Sequence, residues 1–289
     1  MKARTLWACS CAVMEINIGK SGALLVLSAT TAWADYATSA TSYNPGTGYA
    51  TEFGTGVGYT NATAALGEPS RVTPGAFGGP VDPYNPPYTR DQLVSIGAGG
   101  SLTVQFATPI THGANHAWGL DFTIYGDTGF SIVNGDYTGG GITDGSLFNP
   151  RTVSAMVSVS TDGNLFYRLN PSLAPSLGNY YPTDGTGNFG LPINPSLRSS
   201  SFANASLAQI RALYAGSAGG SSYSLDWAID ASGNPVSLGA IDYVRIDVLS
   251  GATQVDGFST VTAAPEPGTV ALATAGLVAL LIGRRTPRI

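Results

Sequence analysis

The run Ile241 to Leu249 alternates more regularly than any other part of the chain. Tyr243, Arg245, Asp247 and Leu249 share one face, which Ile241 opens, and Val244, Ile246 and Val248 share the other. A period of two marks a strand with one buried face, because a helix would scatter these residues around its surface. The pattern recurs in shorter pieces. Leu102, Val104 and Phe106 line one side of Ser101–Phe106, and Val153, Ala155, Val157 and Val159 line one side of Thr152–Ser160. In Trp118–Tyr125 the same side would carry Trp118, Leu120, Phe122 and Ile124, and Leu165–Leu169, Tyr223–Ile229 and Gly257–Thr262 add further strands.

Turn chemistry stops each run early. The 289 residues include 38 Gly and 18 Pro, too many punctuators for long helices. Leu93–Ile96, the turn Gly97–Gly100 and Ser101–Phe106 together predict a hairpin. Thr161-Asp162-Gly163-Asn164 predicts a second tight turn, and Pro and Gly make 170–201 irregular. One helix is expected at Asn204–Tyr214, capped by Asn204 or Ser206, with Leu207, Ile210 and Tyr214 on one face and Gly216 just past its end. The fold class that follows is all-β: a jelly-roll-type β-sandwich with long loops and one short helix, over 91–264. Residues 35–90 read as a loop-rich lead-in packed on that domain and able to supply one strand. No repeat of 20–50 residues supports a propeller or solenoid.

The two ends have a different character. Lys20 precedes the apolar run Ser21–Ala29, and Ala32-Trp33-Ala34 is an A-x-A cleavage site. This predicts an N-terminal signal helix over 1–34, removed by signal peptidase after Ala34. The stretch before Lys20 is long for the basic start of a signal and contains Glu15, which makes Met14 a second candidate start. Both cysteines, Cys9 and Cys11, fall in the removed part, so the body has no thiol chemistry. At the other end, every residue from Gly268 to Gly283 is Gly, Ala, Val, Leu, Ile or Thr. As a helix this run would extend about 24 Å, short for a hydrocarbon core of roughly 30 Å unless the bilayer thins. Arg284, Arg285 and Arg288 follow, which orients the C-terminus to the cytoplasm. Pro265-Glu266-Pro267 cannot continue a helix and forms an extended linker before it.

Pro265-Glu266-Pro267, the short apolar run and the closing Arg284-Arg285 resemble the PEP-CTERM sorting signal of Gram-negative bacteria. Gly268-Thr269 replaces the small polar residue usual after that motif. The resemblance implies a C-terminal transmembrane helix that holds the protein transiently in the inner membrane. It also implies that an exosortase recognises and cuts the segment 265–289, releasing the protein to the cell surface or outside the cell.

Between Asp35 and Ala264 seven arginines, and no lysine, face sixteen carboxylates, a net charge of −9. An acidic body without a basic stripe excludes nucleic acid as a partner.

Ala65-Leu66-Gly67-Glu68-Pro69, Gly99–Phe106, Gly119-Leu120-Asp121-Phe122, Val157–Gly163 and Asp242–Asp247 resemble bacterial cell-surface domains with a galactose-binding-like, or discoidin-like, sandwich. The resemblance implies glycan binding and, in some members, a structural Ca²⁺.

Candidate chemistry is sparse. His112 and His116 are the only histidines. Gly113 and Asn115 place them in a loop, where exposed side chains are expected rather than a Zn²⁺ site or a Ser-His-Asp triad. Asp121, Asp127, Asp136, Asp144 and Asp256 have the oxygens that Ca²⁺ takes, but no EF-hand spacing, and solvated turn aspartates are the simpler reading. An aromatic platform for sugars is expected at the loop tyrosines Tyr84, Tyr88, Tyr180 and Tyr181, with Trp118 and Trp227 in strands of the core. The function expected is that of an exported, non-enzymatic surface or matrix protein associated with exopolysaccharide. The alternatives are a secreted carbohydrate-active enzyme and a purely structural matrix subunit.

Overall fold

A computed structural model describes residues 34–75 and 78–263. The expected signal helix before Ala34 and the expected transmembrane helix and sorting segment after 264 lie outside the described residues. Among the described residues no helix is long and apolar enough to cross a membrane.

The strands used below are β1 (Ala37–Asn44), β2 (Val94–Gly97), β3 (Ser101–Thr111), β4 (Phe122–Tyr125), β5 (Ser154–Ser160), β6 (Tyr167–Leu169), β7 (Ser221–Tyr223), β8 (Ala228–Ile229), β9 (Ala240–Ser250), β10 (Ala252–Val255) and β11 (Gly257–Thr260). The helix α1 spans Leu207–Tyr214. The largest sheet has the order β1-β3-β9-β5-β6-β8, and every pairing in it is antiparallel. A three-stranded sheet, β7-β4-β11, and the pair β10-β2 supply partners across the core. Short two-residue ladders decorate the loops.

The core lies between these layers. Leu102, Val104 and Phe106 of β3, Val157 and Val159 of β5 and Val244, Ile246 and Val248 of β9 share one cluster with Phe122, Ile124 and Phe258. Val94, Ile96 and Val255 complete it, and the Phe122 and Tyr223 rings stack at 5.2 Å. Each such side chain contributes roughly 1.5–3 kcal/mol on burial, so the alternation of these strands drives the collapse. The described residues are therefore mostly β-strands in antiparallel sheets with one α-helix, in the manner of an all-β sandwich.

Four local expectations are corrected. First, β2 and β3 are not a hairpin: β2 pairs with β10, and β3 with β1 and β9. The glycines at 97–100 carry the chain from one layer to the other. A Cβ on Gly97 would lie 2.2 Å from the Thr47 carbonyl oxygen, so the crossing is closely packed. Gly251 makes the matching step from β9 to β10 at φ +76. Second, Ile241 does not share the Tyr243 and Arg245 face. It is buried with Val244, because the register against β3 shifts between Ile241 and Tyr243 and the bulge reverses the phase. Third, Tyr223–Ile229 is not one strand, since a 3₁₀ turn at Leu225–Trp227 separates β7 from β8. Fourth, the side chain of Trp118 leaves the core, as described below.

The lead-in supplies β1, the edge strand of the large sheet. Ser206, not Asn204, caps α1: its hydroxyl accepts from Gln209 N–H, and the Gln209 side chain accepts from Ser206 N–H. Ile210 and Tyr214 then pack on Phe130, Ile193 and Phe202 as a second small cluster.

Candidate functional site

The chain between β3 and β4 turns over 112–121 and is tied down at its centre by one carboxylate. Asp121 is fully buried. Its backbone N–H donates to Tyr223 at 2.7 Å and its carbonyl accepts from Val261 at 2.8 Å, which pins it between β7 and the end of β11. One side-chain oxygen is 2.8 Å from His116 Nδ1 and 3.4 Å from the Gly113 N–H, which donates to it. The other is 3.1 Å from His112 Nδ1 and accepts from Leu225 N–H at 2.8 Å. A buried carboxylate demands donors, and this one draws them from the loop on one side and from the 225–227 turn on the other.

Next to a carboxylate both Nδ1 atoms carry hydrogen, which leaves the Nε2 atoms to define the rest of the site. His112 Nε2 lies 3.5 Å from Asp226 Oδ1 at the surface. The His116 ring lies against Gly113, where a Cβ would sit 2.8 Å from Nε2. The histidines expected in the open are thus partly or largely enclosed: the side chain of His112 is 30% exposed and that of His116 only 9%. The Asp121 hydrogen bond, then partial burial and the charges of Asp121 and Asp226, act on His112, with the net effect of raising its pKa.

Between the histidines and Asp121 stands Trp118. It has φ 56° and ψ 19°, in the left-handed region, and it is 53% exposed. The alternation that assigned it to the core holds for Leu120, Phe122 and Ile124, which are buried. It fails one step earlier because the turn at 117–119 reverses the chain. Trp227, by contrast, packs at the edge of the core, edge-on to Tyr223.

The tyrosines expected to form a sugar platform are mostly committed elsewhere. Tyr180 is buried, with its hydroxyl on Thr253. Tyr84 donates to Ala205 O and Tyr181 to Leu197 O, and both rings pack on the second cluster. Tyr88 is half-buried, and its carbonyl accepts from the Tyr59 hydroxyl.

The five aspartates considered for Ca²⁺ do not converge. Asp121 serves the histidines. Asp127 is buried and accepts from Arg151 at 2.9 Å and Gln254 at 2.7 Å, so a guanidinium already supplies its cation; burial still raises its pKa against the pull of Arg151. Asp256 is buried and accepts from the Ser70 N–H and hydroxyl at 2.6 and 2.7 Å. Asp136 and Asp144 cap exposed turns. Among the described residues no three His, Cys, Asp or Glu side chains form a group able to hold a metal ion. A cleft of about 240 Å³ beside β5, lined by Val153, Met156, Leu169 and Pro175 among others, is smaller than the usual small-molecule pocket and has no charged group in its lining.

Of the residues assigned to processing, Ala34 is described and packs in a small cluster with Tyr125, Phe189 and Ala218. Asp35 beside it pairs with Thr260. Pro265, Glu266, Pro267, Arg284 and Arg285 lie outside the described residues. The Trp118 loop itself was not legible as a site. The one usable signal was the spacing of His112, His116 and Asp121 across a loop between two strands.

No family model and no curated protein matches the chain. Among solved structures it is similar to a pectin-binding carbohydrate-binding module determined in a monoclinic crystal form. The two are 10% identical, the match covers 61% of this chain and 75% of that one, and the TM-score is 0.23, too low to carry an argument about fold or ligand.

Proposed function

We propose that this chain is an exported, non-enzymatic surface or matrix protein that contacts extracellular polysaccharide through the Trp118 loop. The observation that carries the binding reading is Trp118 itself. A bulky residue at positive φ costs on the order of 1–3 kcal/mol and persists only where surrounding structure fixes it. Burial does not repay that cost here, since the indole stands more than half in solvent. What the strain accomplishes is the outward presentation of an aromatic face, with His112 on the same loop, and Asp226 of the 225–227 turn 3.5 Å from its Nε2, able to meet hydroxyl groups. A stacked ring with a few fixed polar groups is how a protein holds a sugar.

Binding is favoured over catalysis because Asp121 is spent on positioning. Both its oxygens are occupied by N–H donors, and among the described residues neither imidazole is hydrogen-bonded to a hydroxyl nucleophile. The antiparallel sheets of an all-β sandwich are compatible with the galactose-binding-like resemblance, which itself rests on sequence.

The export reading rests on sequence. It takes Ala34 as the signal-peptidase site, Pro265-Glu266-Pro267 as the exosortase motif and Arg284-Arg285 as the cytoplasmic stop, with the inner membrane as a temporary anchor. Ala34 is buried in the folded body, so this cleavage would precede folding of that corner. The deciding experiment is a glycan array probed with the purified chain and with its Trp118→Ala variant. Binding without turnover that disappears in the variant supports the proposal. Release of reducing ends would make the protein an enzyme, and silence with both proteins would leave a structural subunit.

A further inference from the structure

The Asp121 carboxylate is a fully buried charge in a segment that offers few cations. The elements around it are β3, β4, β7, the loop 112–120, the 225–227 turn, residues 236–240 and the C-terminal stretch 257–263. Their charged or titratable members besides Asp121 are His112, His116, Asp226, Tyr125 and Tyr223; the Tyr125 hydroxyl donates to Phe189 O and the Tyr223 hydroxyl to Pro175 O. Among the described residues no arginine pairs with Asp121: its ion-pair partners there are His112 and His116. A buried carboxylate without a compensating charge is costly, so among the described residues an imidazolium is the counter-ion available to it.

We propose that His112, held between Asp121 and Asp226, is a proton-linked latch on the Trp118 platform, so that the site holds its ligand in mildly acidic surroundings and loosens as they become alkaline. The inference rests on the polysaccharide reading only for the identity of the ligand. The latch itself follows from the geometry. With His112 protonated, Nδ1–H donates to Asp121 and Nε2–H points at Asp226, so one cation bridges two carboxylates across the loop and the 225–227 turn. When His112 loses its proton the Nδ1–H bond remains, but Nε2 becomes a lone-pair acceptor 3.5 Å from a carboxylate oxygen. An attractive contact becomes a repulsive one, and the buried Asp121 carboxylate loses the His112 charge in the same step.

The direction follows from linkage. The folded protein holds the His112 proton more tightly than an unfolded chain does. The stabilisation is therefore fully present below the ordinary histidine value of about 6.5 and is lost as pH rises through the higher folded value. Coupling of a local equilibrium to binding typically changes affinity by about 5–150-fold, and roughly tenfold weaker binding is expected at pH 8.5 than at pH 5.5.

The full-length chain has two histidines, so each ring can be followed by NMR and assigned with the His112→Gln variant. The Trp118 indole resonance is assigned with Trp118→Phe. The expected result is a His112 midpoint above 6.5, with the Trp118 signal moving at the same midpoint and that movement absent in His112→Gln. Asp226→Asn, an exposed change that leaves the fold alone, should lower the midpoint. A His112 midpoint at or below 6.5, or a Trp118 signal that stays flat from pH 5 to 9, would overturn the latch. Neutral and uronate-containing oligosaccharides added at pH 5.5 and 8.5 test the coupling to ligand. Equal affinity at both values defeats the inference. A coupled titration with no oligosaccharide bound at either pH keeps the latch and removes the polysaccharide reading.

Discussion

The Nδ1 atom of His116 lies 2.8 Å from a side-chain oxygen of Asp121, a carboxylate with no exposed surface. With His112 Nδ1 and the N–H groups of Gly113 and Leu225 on the same carboxylate, this contact ties down the loop bearing Trp118. Asp121→Asn keeps the shape but removes the charge and makes one side-chain position a donor facing N–H groups. Breaking a buried charged network typically costs about 3–5 kcal/mol, and a melting temperature lower by roughly 6–20 °C is expected for a domain of this size. Thermal unfolding of the two proteins side by side checks it. A variant as stable as the parent would show that Asp121 does not anchor the loop.

Trp118 separates stability from function. Glycine tolerates φ 56° without strain. Trp118→Gly is expected to leave the melting temperature unchanged, or to stabilise by up to about 1 kcal/mol, while abolishing glycan binding. A large loss of stability would instead mean that the indole packs as a structural element.

Gly113 gives a steric test of the same loop. A Cβ there would lie 2.8 Å from His116 Nε2, so Gly113→Val should displace that ring and reduce binding while β3 and β4 stay intact. Hydrogen exchange would show the damage confined to 112–121; protection lost throughout the large sheet would contradict this.

The link between α1 and the irregular segment before it is electrostatic. Arg211 Nε is 2.7 Å from an Asp184 oxygen. Burial works to raise the Asp184 pKa, but the hydrogen bonds from Arg211 and Thr186 win and hold it below the ordinary carboxylate value. A depressed folded value means that this stability is present above the unfolded value of about 4 and is lost as pH falls through the folded one. Arg211→Met should therefore destabilise the protein at pH 7 and have less effect near pH 2. Equal destabilisation at both pH values, measured by urea unfolding, would rule out the charge as the cause.

The passage from β9 into β10 depends on Gly251, at φ +76 with the Thr152 carbonyl oxygen 2.2 Å from where a Cβ would stand. Gly251→Ala is expected to cost more than about 1 kcal/mol, read as an earlier urea midpoint. A neutral result would mean that the crossing relaxes freely.

Residue order alone determined the strands and which of their faces are apolar. Val244, Ile246 and Val248, or Leu102, Val104 and Phe106, are buried because a period of two has only one way to face a core. It also determined helix α1, since local capping and spacing act within a few residues. The tertiary structure decided the pairing of β2 with β10, the reversal of phase at Ile241 and the outward turn of Trp118. Each of these depends on groups brought together from far along the chain. The candidate site belongs to that second class. His112, His116 and Asp121 read singly as a loop pair and a turn acid. They become one cluster only when β7 and the 225–227 turn close over the carboxylate and leave it no solvent to bind.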